Sequence, residues 1–185
     1  MQLLNNRSFF EEIHQLKSFF TQLFSDLAND ISTDDLLAVH PSSKGMKISK
    51  GNELAHCPYQ VLDIVRDFDR EIGFNIRVLN WWGRGLYIFI FLGKNNPKLV
   101  GDPLFISQMQ ANGYLMSKTL SPWDYQGMID DGEVGPILNF EELLSNLQDF
   151  TYLQLVKKVN YPESLADIKA VLDGELGRIL KYYAG

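Results

Sequence analysis

The run Leu86-Tyr87-Ile88-Phe89-Ile90-Phe91-Leu92 constrains this chain more than any other stretch. Each of its side chains is aliphatic or aromatic. A strand made of them is apolar on both faces and belongs inside a sheet that is covered on each side. Ahead of it, residues 74–80 alternate. Phe74, Ile76, Val78 and Asn80 fall on one face, and Asn75, Arg77 and Leu79 on the other. Between the two runs, Gly83 and Gly85 supply the left-handed positions that a tight turn needs. A central hairpin is predicted, with the rest of the chain arranged to cover it.

The flanking segments read mostly as helices. Ser8 and Glu11 fit a capping box. Phe9, Ile13, Leu16, Phe20, Leu23 and Leu27 then recur at steps of four and three, which predicts an amphipathic helix to about residue 28. Phe10, Phe19 and Phe24 widen its stripe as core residues. A second helix is predicted after Pro58, with Cys57 near its N-cap, Leu62, Val65, Phe68 and Ile72 buried, and Gly73 as its left-handed stop. On that helix Asp63 and Asp67 would be neutralised by Arg66 and Arg70, three residues on from each. Asn139 caps a helix over 140–148, with Glu141 and Glu142 suited to its dipole. Residues 150–159 read as a strand, and Leu165, Ile168, Leu172, Leu176, Ile179 and Tyr183 mark a last helix. Shorter signals place an edge strand at 46–48, a helix at 103–111 and a strand at 113–117. The fold expected is a single α+β domain spanning 1–185: a mainly antiparallel sheet built on the central hairpin, with helices packed over it.

Composition narrows the function classes. At 185 residues and 45% hydrophobic content the chain can bury one substantial core. A net charge of −6 is opposed to the basic stripe of a duplex nucleic-acid binder. The single cysteine excludes an intramolecular disulfide framework and a cysteine-rich zinc site. No apolar run has signal-peptide length near the N-terminus, and none approaches a membrane span. A small cytoplasmic protein of bacterial character, with no membrane partner, is expected.

No cofactor fingerprint is present. Gly83-Arg84-Gly85 lacks a third glycine and opens a strand, whereas a phosphate-binding loop opens a helix. The acidic residues around Gly132 lack EF-hand spacing, and His14, His40 and His56 lack metal-ligand spacing. Neither a cofactor nor a metal is expected, and no named family is matched residue by residue.

Two candidate sites remain. Trp81, Trp82 and Arg84 at the hairpin tip are suited to stacking a flat ligand or anchoring a partner, with Trp123 and Tyr125 lining the same cleft from another loop. The alternative for these tryptophans is to cap the end of the core. The second candidate is catalytic: Cys57 as a nucleophile at a helix N-terminus, assisted by His56 or His40. Against it, free cysteine is commonly a buried packing residue. Lys44, Lys47 and Lys50 form the one locally basic stretch, an anion site or simply a solvated loop. A binding or interaction domain is favoured over a small cysteine enzyme. Its partner would be a small molecule or a protein, and a homodimer through the hairpin edge stays open.

Overall fold

A computed structural model describes residues 3–184 of the chain. Among them, seven strands form one sheet: β1 (Lys47–Leu54), β2 (Cys57–Asp63), β3 (Phe74–Trp81), β4 (Gly85–Gly93), β5 (Leu115–Ser117), β6 (Val134–Pro136) and β7 (Tyr152–Val159). Their order is β1-β2-β3-β4-β7-β5-β6, and every neighbouring pair is antiparallel. With its helices, the fold is α+β. β3 and β4 pair from Phe74–Leu92 to Trp81–Gly85, around a turn where Gly83 and Gly85 both have positive φ. Each is also paired on its other side, so a homodimer contact through the hairpin edge, which the sequence leaves open, finds no unpaired strand there. The exposed edges are β1 and β6. β1 carries Lys47, Lys50 and Glu53, charges that discourage the addition of another strand.

The two faces of the sheet are covered differently. Phe74, Ile76, Val78, Ile88 and Ile90 lie under helices α1 (Arg7–Asn29), α2 (Thr33–Val39) and α7 (Ile168–Ala184). These helices contribute Phe20, Phe24, Leu27, Leu36, Leu172 and Leu176 to the same core. Three short helices, α3 (Pro97–Gly101), α4 (Pro103–Ala111) and α6 (Phe140–Ser145), add Leu99, Phe105 and Leu143. The opposite face presents Val61, Leu79, Trp81, Tyr87, Phe89 and Val156. It is covered by the segment joining β5 to β6, through Tyr125 and Met128 of the one-turn helix α5 (Tyr125–Ile129).

Two expectations are corrected. α1 is capped by Asn6, whose side chain accepts from the Phe9 N–H, while the Ser8 hydroxyl bonds Asn6. More consequentially, Cys57 and Pro58 open strand β2, where a helix was expected. The spacing of Leu62, Val65, Phe68 and Ile72 suits a helix, yet the same stretch also alternates. Cys57, Tyr59, Val61 and Asp63 share one face, and Gln60 and Leu62 take the other. β3 offers a partner from Tyr59–Trp81 to Asp63–Arg77, and tertiary pairing overrides the helical period. Pro58 sits at the strand start, where a missing N–H is tolerated. Ile72 ends up 49% exposed. Gly73 is fixed by crowding instead of handedness: a Cβ there would lie 2.4 Å from the Asp69 carbonyl oxygen.

The same correction reassigns the acids. Asp63 pairs with Arg77, and Asp67 is buried beyond the end of β2. His40 Nε2 lies 2.8 Å from Asp67 Oδ2, Lys44 Nζ 3.3 Å from Oδ1, and the Asp69 N–H also donates to Oδ1. Burial alone would raise the pKa of Asp67, but these hydrogen bonds outweigh it and hold the carboxyl below its ordinary range. A depressed carboxyl stabilises the fold fully above the unfolded carboxylate pKa, and that contribution is lost as pH falls through the folded value. Asp67→Asn is therefore expected to lower stability near neutrality and to flatten the acid loss that begins near pH ~4. Denaturant unfolding across a pH series checks this, and an acid decline as steep as that of the parent would contradict it.

Candidate functional site

The N-terminal half of α1 runs past the end of the main core. On one of its flanks, spacings of three and four bring His14, Lys17, Ser18 and Thr21 to a common side. Facing that flank are Lys50, Gly51 and Asn52 of β1 and Pro58, Tyr59 and Gln60 of β2. Between them lies an open cleft of about 500 Å³, closed at one end by Trp82 from the β3–β4 turn. Gly51 sits where β1 bulges against β2. A Cβ there would meet the Tyr59 ring at 2.6 Å, so any larger residue at Gly51 must displace that ring, which packs on the opposite face of the sheet.

The cleft floor is a hydrogen-bonded chain of side chains. Buried Gln60 donates through Nε2 to the Lys17 carbonyl at 2.8 Å and to Thr21 Oγ1 at 3.4 Å. Its Oε1 accepts from Asn80 Nδ2 at 3.1 Å and from Trp82 Nε1 at 3.3 Å. Asn80 Oδ1 in turn accepts from the Tyr161 hydroxyl at 2.6 Å. Burial pushes the Tyr161 pKa up to about 12, which keeps this hydroxyl a donor. The amide of Gln60 is thus saturated by protein partners, and the chain locks the indole of Trp82 in place before any ligand arrives.

Charge gives the cleft its character. Among the described residues no aspartate or glutamate lines it, although the chain as a whole carries −6. Two ammonium groups, Lys17 and Lys50, and the imidazole of His14 border it, and Lys17 Nζ is steered by Asn52 Oδ1 at 3.3 Å.

The residues singled out in the sequence separate into distinct places. Of the hairpin-tip set, Trp82 alone faces the cleft. Trp81, one residue earlier, points to the opposite face, where it is fully buried and donates through Nε1 to the Leu54 carbonyl at 2.9 Å. Arg84 lies over the Trp81 ring at 4.1 Å and grips Asp130 through Nε and Nη2. Tyr125 is buried in the same cluster as Trp81, bonded to Arg77. Trp123 stacks on the Arg77 guanidinium at 4.5 Å. Trp123 and Tyr125 are therefore not neighbours of Trp82 in one cleft.

Cys57 is half-buried at the start of β2, so the helix-dipole activation expected for it has no counterpart. Its Sγ is contacted instead by Arg84 Nη1 at 3.3 Å. His56 forms the two-residue β1–β2 turn with Ala55, both in the left-handed region, and His40 is bound to Asp67 beyond the other end of β2. Among the lysines, Lys50 joins the cleft, whereas Lys44 pairs with Asp67.

No protein family, curated protein or solved structure matches this chain. Among the described residues no helix is long and apolar enough to cross a membrane. Nor, among them, do three histidine, cysteine or acidic side chains group where they could hold a metal ion.

Proposed function

We propose that the chain is a binding protein whose cleft takes a small organic anion, a carboxylate or a phosphate, against the indole of Trp82. The lining itself supports this. A concave site within the size range of small-molecule pockets carries two lysines, a histidine and an aromatic wall, with no acidic side chain among the described residues. Lys17 comes from a helix and Lys50 from a strand, so both are presented by regular elements instead of a loop. The Gln60–Asn80–Tyr161 chain fixes the floor, which reduces the ordering that a ligand must impose. A reducing, cytoplasmic setting suits the unpaired thiol of Cys57.

The test is thermal unfolding against a panel of organic anions: citrate, phenyl phosphate, adenosine monophosphate and octanoate. An anion that binds only the folded state raises the melting temperature, by about 2.7 kcal/mol of stabilisation at one hundred times its Kd. Lys17→Gln with Lys50→Gln is expected to weaken the anion found by at least about tenfold, as loss of two charge-assisted contacts requires. A panel with no effect, or a shift that survives the double substitution, would count against the cleft.

A further inference from the structure

On the far side of α1 from the cleft, a second pocket of about 220 Å³ is lined by Leu16, Phe20, Trp82, Tyr161 and Leu165, with Asn80 at its base. Among the described residues, no charged side chain lines it. Trp82 lines both pockets, and the polar floor of one continues into the base of the other through the Gln60–Asn80 hydrogen bond. The apolar character has a clear origin in sequence. The stripe that buries Leu27, Phe24 and Phe20 on the sheet runs on as half-buried Leu16 and Ile13 and exposed Phe9. Leu16 is half-buried and Leu165 is 38% exposed, so the pocket is a partly open apolar slot beside a cationic one.

Resting on the anion reading of the cleft, we infer that the ligand is an amphiphilic acid. Its anionic head lies between Lys17 and Lys50, and a short alkyl chain crosses the Trp82 indole into the slot of Leu16, Phe20 and Leu165. The volume and charge of the two pockets set the class. The head site is cationic and broad, and the tail site is apolar and too small for a diacyl lipid. A soluble short- or medium-chain acid therefore fits better than a bilayer component. Burying a methylene in such a slot is expected to tighten binding by about fourfold.

The experiment is calorimetric titration of the full chain with butanoate, hexanoate and octanoate, and separately with phosphatidylglycerol vesicles. The parent is expected to bind more tightly at each step, by about fourfold per methylene. Leu165→Glu, a substitution at a partly exposed position, is expected to flatten that slope. Vesicles are expected not to bind. If short acids bind in a Lys17- and Lys50-dependent way but chain length adds nothing, the tail assignment is overturned and the anion cleft stands. A slope that persists in Leu165→Glu also overturns the tail assignment. A chain-length slope that ignores the lysine substitutions overturns both readings. Binding to vesicles without binding to soluble acids replaces the proposal with a membrane-facing surface.

Discussion

Asp63→Ala is expected to destabilise the protein by about 3–5 kcal/mol, the cost of stripping one partner from a buried ion pair. The side chains of Asp63 and Arg77 are only 6% and 13% exposed. Arg77 forks onto the carboxylate, Nε to Oδ1 and Nη2 to Oδ2, each at 2.7 Å, while Nη1 bonds the Tyr125 hydroxyl. Asn75 Nδ2 also donates to Asp63 Oδ1, at 3.1 Å. Phe68 and Trp123 wall in the guanidinium at 5.4 and 4.5 Å. Without Asp63 a permanent cation is left in an aromatic box with one phenol for company, and an amide loses its acceptor. The pair is not equally costly to replace as a unit. Asp63→Leu with Arg77→Met removes both charges, and apolar substitutes for buried pairs are often close to neutral. Denaturant unfolding of the two single variants and the double variant measures the difference. A single Asp63→Ala variant within about 1 kcal/mol of the parent would show that water reaches the pair and that the box is not closed.

The adjacent tryptophans are expected to behave as opposites. Trp81→Ala removes a fully buried ring, orphans the Leu54 carbonyl and strips the platform beneath Arg84, at a cost of about 3–5 kcal/mol. Trp82→Ala removes a half-buried ring and one of the two donors on Gln60 Oε1, which costs about 1 kcal/mol, and it is expected to abolish anion binding while the fold persists. Thermal unfolding and ligand titration of both variants separate the two outcomes. Equal stability losses would mean that Trp82, too, is a core residue.

That contrast also shows what was legible in the sequence. The alternation running from Phe74 to Asn80 continues unchanged through the next two residues, so Trp82 shares the face of Asn80 and Trp81 that of Leu79. The period that separates the two tryptophans is present in the sequence, hidden only by their adjacency. The central hairpin, β7, α1 and α7 were readable because each carries a long and unambiguous apolar period. Residues 57–72 were not, because helical and strand periods coexist there, and the choice is made by β3, a partner that lies beyond the window. The cleft was harder still. Lys50 stood out as part of a basic stretch, but Lys17 lies 33 positions earlier and Tyr161 more than a hundred later. Their convergence depends on where α1 crosses the sheet, which no local pattern encodes.

The most direct test of the cleft uses the indole protons as reporters. The chain has three tryptophans, and each sits in a different place: Trp81 in the core, Trp82 in the cleft and Trp123 exposed over Arg77. Single tryptophan-to-phenylalanine variants assign the three indole N–H resonances in a nitrogen-15 correlation spectrum, and phenyl phosphate is then titrated into the parent. The account predicts that the Trp82 resonance moves saturably while those of Trp81 and Trp123 stay in place. Movement confined to Trp123, or no saturable movement at any indole, would contradict it.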